Sequence, residues 1–233
     1  MHALIINIMY STNSDMKYFL PVAYADGDLM YELKSEFSAS VIAEVVMGDE
    51  EGIIYDALFS DDFQKELLQY IHGKRKAKGK SGELAFLSGK KLRSYIKKSD
   101  FPVHAKLLKA EQSNTSIIYD DKVMLKLYRG LEEGLNPEIQ VLEYLTEKRK
   151  FEHVPNFTGQ IEYISKNKEQ ISVGILSQFV KHEQDAWSYA LSELDHYFNN
   201  ILSNREELKK PAKVPEKLDI SYDEIPDEFK NLT

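Results

Sequence analysis

The chain has 233 residues, enough for one large domain or two small ones, and its 42% hydrophobic and 29% charged content is ordinary for a globular protein. It contains no cysteine, which excludes disulfides, thiolate metal sites and cysteine nucleophiles and fits a reducing, cytoplasmic setting. A net charge of −8 argues against a nucleic-acid partner, and no apolar run approaches the ~20 residues that cross a bilayer, which argues against a membrane role.

In chain order, residues 3–10 (ALIINIMY) and 17–25 (KYFLPVAYA) are β-branched and aromatic runs flanking a turn-rich STNSD, so a hairpin is expected. Residues 36–47, rich in valine, lean to strand, and residues 52–59 are apolar with an Asp inside. Ser60, Asp61 and Asp62 are N-cap candidates for a helix through His72, with Phe63, Leu67, Leu68 and Ile71 on one face. Gly73 suits a left-handed helix end. The basic stretch 74–82 (KRKAKGKSG) could be an anion patch, but without interleaved aromatics a solvated loop is the expectation. Residues 83–87 form a short strand and 88–100 a polar connection.

Residues 103–108 are the next strand, and Ser113, Asn114, Thr115 and Ser116 make a polar loop without glycine. Residues 117–119 and 123–128 are strands around an Asp120-Asp121-Lys122 turn. Asn136 as N-cap and Pro137 in the first turn open a helix to about Lys148. Its buried set is Ile139, Leu142 and Leu145, or Val141 and Leu145. Residues 161–165 and 171–177 form a second hairpin, followed directly by Gln178-Phe179-Val180. Residues 187–203 are helical, with Trp187, Ala190, Leu191, Leu194, Phe198 and Ile201 at helical spacing. From Arg205 onward, prolines and charges predict a linker or tail.

Strand alternation places Met124, Lys126 and Tyr128 on one face and Val123, Leu125 and Leu127 on the other. Lys126 is then either a solvated strand lysine or a cation aimed at an anion. The second reading requires a carboxylate to hold the ammonium, and the following helix offers Glu138, Glu143 and Glu147. In protein kinases a strand lysine paired with a helix glutamate meets the nucleotide phosphates. A lysine-bearing strand pair, a carboxylate-bearing helix, a second strand pair and a short apolar hinge follow one another in that order here.

The segments EQSNTSIIYDDKVMLKLYRGLEEGLNPEIQVLEYL, HVPNFTGQIEY and QDAWSYALSELDHYF resemble bacterial maltokinase, a family often fused behind trehalose synthase. The earlier YFLPVAYA and IIYDALFSDDFQKELL resemble its N-terminal cap, so the likeness covers residues 3–200. It implies an α+β fold: a β-rich cap (residues 1–98), a kinase-like small lobe with an antiparallel sheet and one main helix (99–181), and the start of a large lobe plus tail (182–233). It also implies transfer of the γ-phosphoryl group of ATP, with magnesium, to the anomeric hydroxyl of maltose. Carried over, Lys126 contacts phosphates and Glu138 pairs with it. Ser113, Asn114, Thr115 and Ser116 cover the phosphates, and Gln178, Phe179 and Val180 form the adenine hinge. One departure is Gln140, where the family usually carries a second acidic residue.

The family's catalytic and metal-binding HGD and DFE strings do not occur in these 233 residues, and Asp195-His196 has the reverse order within a helix. The expectation is the front half of a maltokinase, inactive alone, with no catalytic residue or metal ligand of its own. An exposed face where the large lobe would sit predicts dimerisation through that surface. The alternative is a non-catalytic module that binds trehalose synthase or another glucan enzyme.

Overall fold

Every strand pairing among the described residues is antiparallel apart from one isolated bridge, and within residues 1–181 helices pack against the sheets, so the fold is α+β. The computed structural model describes residues 1–9, 11, 15–108 and 113–203. Part of the expected first turn (Thr12, Asn13, Ser14), Glu111 and Gln112, and the tail from Arg205 lie outside them. Among the described residues, 1–181 make one unit and 182–203 belong to a second.

The first sheet begins with the expected hairpin, β1 (His2–Ile8) and β2 (Met16–Asp26), in register from His2–Val22 to Ile8–Met16. Helix α1 (Gly27–Glu36) follows, where no element was expected; Met30 and Leu33, one turn apart, bury against Ala23, Ala25, Ile53 and Tyr55. The valine-rich run is β3 (Val41–Met47), hairpinned to β4 (Glu50–Asp56) through Gly48 at φ 65°. The sheet order is β1-β2-β4-β3.

Helix α2 (Asp61–His72) is capped by Ser60, whose hydroxyl accepts from the Phe63 amide. Gly73 does not take the left-handed conformation expected of it. It stays right-handed at φ −83°, and Lys74 turns the chain instead at φ 52°. The basic stretch is part ladder and part loop: β5 (Lys76–Lys78) pairs with β6 (Gly82–Ser88), and Lys76 pairs with Glu83. In the expected polar connection, α3 (Leu92–Tyr95) buries Leu92 completely.

The second sheet has seven strands, ordered β5-β6-β11-β12-β9-β8-β7. The remaining strands are β7 (Ala105–Leu107), β8 (Asn114–Tyr119), β9 (Val123–Tyr128), β11 (Phe157–Ser165) and β12 (Gln170–Gln178). Between β9 and β11 lie β10 (Gly130–Leu131), which joins β2 in the first sheet, and α4 (Pro137–Glu143), extended by a π-helical turn over Tyr144–Lys148. The sheet thus recruits strands from both sides of residue 98. One of its faces is apolar: Ile117, Tyr119, Leu125, Leu127, Phe86 and Ile161 join Leu68 and Ile71 of α2 in one core. Tyr119 is fully buried there, and its hydroxyl donates to the Gln64 carbonyl at 2.8 Å, which satisfies the one polar atom it brings inside. Gly159 belongs where α2 crosses β11, since a Cβ would meet Ile71 at 2.7 Å. In the second unit, α5 (Ala186–Ser203) is capped by Asp185, which accepts from the Ser188 amide at 2.7 Å.

The β8–β9 turn holds two residues in the left-handed region, Asp120 at φ 48° and Asp121 at φ 53°. Asp120 is tied down, its carboxylate accepting from the His104 amide at 2.9 Å, whereas Asp121 makes only an exposed pair with Lys181. Asp121→Gly should therefore stabilise the fold by about 0.5–1 kcal/mol, because glycine carries no Cβ penalty there. Asp120→Gly should destabilise it through the lost His104 bond. Urea midpoints of the two variants with opposite signs are the expected result.

Candidate functional site

β9 alternates as its sequence requires: Leu125 and Leu127 enter the α2-facing core, and Lys126 projects from the other face. Lys126 stands in register with Ser116 of β8 and Ile175 of β12, so these three side chains share a row. Asn114 is paired with Tyr128 in the same way. The carboxylate that meets this face comes from α4.

Helix α4 is placed by its first residues. Asn136 accepts from the Glu138 amide at 2.8 Å, and Pro137 occupies the first turn. The Asn136 amide donates to Ser172 Oγ of β12 at 2.9 Å, which pins the helix start to the sheet. Glu138 therefore sits in the first helical turn, where the macrodipole favours its negative charge. Its carboxylate meets Lys126 Nζ at 3.0 and 3.2 Å and accepts from the Tyr128 hydroxyl at 3.1 Å. Burial, with the Glu138 carboxylate beside it, pushes the Tyr128 phenol far above its ordinary value, so it remains a donor. The Lys126 ammonium also lies 5.8 Å from the Tyr128 ring centre.

The lysine and glutamate side chains keep 29% and 46% of their surface exposed, so the pair is worth only about 0–1 kcal/mol of stability. Its consequence is geometric. Glu138 and Tyr128 hold an ammonium at one point of a polar, partly open sheet face.

The other expected site residues are distributed unevenly. Asn114, Thr115 and Ser116 are not loop residues as expected but the start of β8, because the ladder with β9 runs as far as Asn114–Tyr128. Only Ser113 precedes the strand. Thr115 points away from Lys126; it is 1% exposed, and its hydroxyl accepts from Arg129 Nε at 2.9 Å. Asn114 and Ser116 share the Lys126 face. Gln178 turns its side chain toward Asn156, accepting from Nδ2 at 2.8 Å, and the Phe179 amide donates to the Lys122 carbonyl at 2.9 Å. Val180 is half exposed. Of the two alternatives for the helix, Val141 is exposed; Ile139 is buried, Leu142 and Leu145 are half-buried, and Thr146 is buried in the π-helical turn.

Several site residues have no role assigned from sequence. Tyr128 was legible as a neighbour of Lys126 from alternation alone. Asn156 was not, since its bonds reach Tyr95, Lys91 and Gln178 in separate elements. Nor were Gln160 and Glu162 of β11, which extend the polar face beneath α4. Gln160 Nε2 donates to Glu162 at 2.6 Å, and Glu162 is 6% exposed. Burial first, and then the Glu143 carboxylate, raise the Glu162 acid above its ordinary value, partly offset by the Gln160 bond.

A raised carboxyl pKa in the folded state means the ionised form weakens the fold. That deficit is absent below the unfolded value, grows as pH rises through it, and is complete above the folded value. Glu162→Gln should therefore raise the melting temperature at pH 7 to 8, and the gain should shrink towards zero near pH 4. Thermal melts across that range check it, and a pH-independent difference would remove Glu162 ionisation as the cause. No protein-family model matches this chain.

Proposed function

We propose that residues 99–181 are the nucleotide-binding small lobe of a sugar kinase of the maltokinase type, preceded by a cap. The observation that supports this most is the Lys126–Glu138 pair, a strand ammonium held by a first-turn helix carboxylate at 3.0 Å. Kinases use that arrangement on the α and β phosphates.

The donor set suits a polyphosphate. Lys126 supplies a positive charge with three donors, and the Ser116 hydroxyl and Asn114 carboxamide lie on the same sheet face. Bound ATP would supply the phosphoryl group. Lys126 would hold its α and β oxygens, Glu138 and Tyr128 would keep the ammonium from swinging away, and the 178–180 segment would flank adenine. Since the Phe179 amide already serves Lys122, adenine would be read by other main-chain groups of that hinge. Among the described residues no cluster of three or more His, Asp or Glu is placed to hold a metal ion, and the resemblance assigns the magnesium ligands to the HGD and DFE strings.

The acceptor reading, maltose to maltose 1-phosphate in a cytoplasmic pathway coupled to trehalose synthase, rests on the sequence resemblance. So does the reading that this chain alone is catalytically incomplete, for it carries no HGD or DFE string to accept the sugar's proton and hold magnesium. Among the described residues no helix is long and apolar enough to cross a membrane.

Calorimetric titration of ATP with magnesium into the wild type and Lys126→Ala tests the nucleotide site. A charge-assisted contact contributes about 1.5–3 kcal/mol, so the variant should bind roughly 10- to 100-fold more weakly. Equal affinities would remove Lys126 from any phosphate site. In the same preparations, maltose 1-phosphate formation should stay at background; sustained turnover by this chain would overturn the incompleteness.

A further inference from the structure

Three residues beyond Lys126, the chain leaves the seven-stranded sheet at Arg129 and enters β10 of the first sheet. Arg129 is bonded in four directions there. Its amide donates to the Ser113 carbonyl at 2.9 Å, and its carbonyl accepts from the Phe19 amide of β2 at 2.9 Å. Its Nε donates to Thr115 Oγ1, and its terminal guanidinium nitrogen pairs with Asp56, the last residue of β4. The other Asp56 oxygen accepts from the Leu58 amide at 3.0 Å. The two charged side chains are only 17% and 11% exposed.

A buried ion pair is weak evidence for stability, because desolvating both charges offsets their attraction; its better-attested use is to specify register. Here it specifies where β8 begins. Thr115 faces the interior because Arg129 holds its hydroxyl, and alternation then forces Asn114 and Ser116 to the Lys126 face. Replacing that anchor by an apolar contact would leave Thr115 buried but not oriented.

We propose that Asp56 and Arg129 are positioning residues for the anion site. The first sheet reaches across through Asp56, fixes Arg129, and Arg129 fixes Ser113 and Thr115 so that the polar start of β8 lies beside Lys126. The cap is then a working part of the phosphate site and not an appended module. This rests on the reading that Lys126 and the start of β8 meet phosphate.

The test uses Asp56→Asn, which keeps the shape and removes the charge, and Arg129→Lys, which keeps a cation beside Asp56 and guards against a variant that fails to fold. Two readouts are taken on the full 233-residue chain: amide hydrogen exchange, and the dissociation constant for ATP with magnesium. Exchange at residues 114–117 should accelerate at least tenfold in both variants, while Ile161 and Val173 of β11 and β12 stay within about twofold. ATP affinity should fall at least fivefold. Wild-type ATP affinity in both variants would overturn the positioning role and leave the nucleotide reading standing. So would affinity loss with equal acceleration at Ile161 and Val173, which marks general destabilisation. A wild-type chain that titrates no ATP would overturn the nucleotide reading and this inference with it.

Discussion

The pleat of β9 is the constraint on which the rest of the molecule depends. Five residues alternate between two unlike environments before Tyr128, buried on the lysine face, ends the strand: Val123, Leu125 and Leu127 are fully buried in the core shared with α2, and Met124 and Lys126 are partly exposed on the other side. A one-residue slip would drive the ammonium into the apolar core and expose three leucine and valine side chains. The cost of burying an unpaired charge is several kcal/mol, so the register has no close competitor. Because the ladders with β8 and β12 both run through β9, that single strand also sets which residues of its neighbours share the lysine face.

Helix α4 is set by a different kind of force. It buries one large side chain, Ile139, so apolar packing alone would leave its rotation poorly determined. Its start is fixed by polar groups instead: the Asn136 cap, the Asn136–Ser172 bond and the Glu138 carboxylate against Lys126 and Tyr128. Each is directional, and together they determine which way the first turn faces. Pairing contributes little stability at this exposure, yet it decides the direction of the ammonium. Stability comes from the α2 face and geometry from the α4 face.

That division explains what the sequence could disclose. The β1–β2 hairpin, α2, α5, β9 and the start of α4 were legible because each has a local cause: alternation, a Ser or Asn cap, proline in the first turn, apolar spacing. Helix α1 was missed because its apolar content is small and its two buried residues, Met30 and Leu33, gain their partners from β2 and β4. Asn114 to Ser116 look like a loop by composition, since only Thr115 of the three favours a strand. Their strand character comes from the β9 ladder and from Arg129. The glycine at the end of α2 was a correct stop signal placed one residue early, because Lys74 and not Gly73 adopts positive φ. For the site, Lys126 and Tyr128 follow from strand alternation and Glu138 was singled out by the family resemblance, whereas Arg129 and Asn156 depend on contacts between elements far apart in the chain and Glu162 on its burial near Glu143.

The polar face under α4 also bears on why the site lies where it does. Gln160, Glu162 and Ser172 lie beneath a helix on a sheet whose opposite face is apolar. Gln160 Oε1 finds no hydrogen-bond partner among the described residues, and Glu162 is held towards its neutral form. Leucine and valine in place of Gln160 and Glu162 would avoid an uncompensated desolvation cost of about 1–3 kcal/mol per unsatisfied group, a cost that Gln64 and His72 of α2 also carry. Departures from local consistency of this kind concentrate where a fold serves something other than its own stability. Gln160, Glu162 and the Lys126–Glu138 pair share one face of one sheet, and the proposed nucleotide site would use that face.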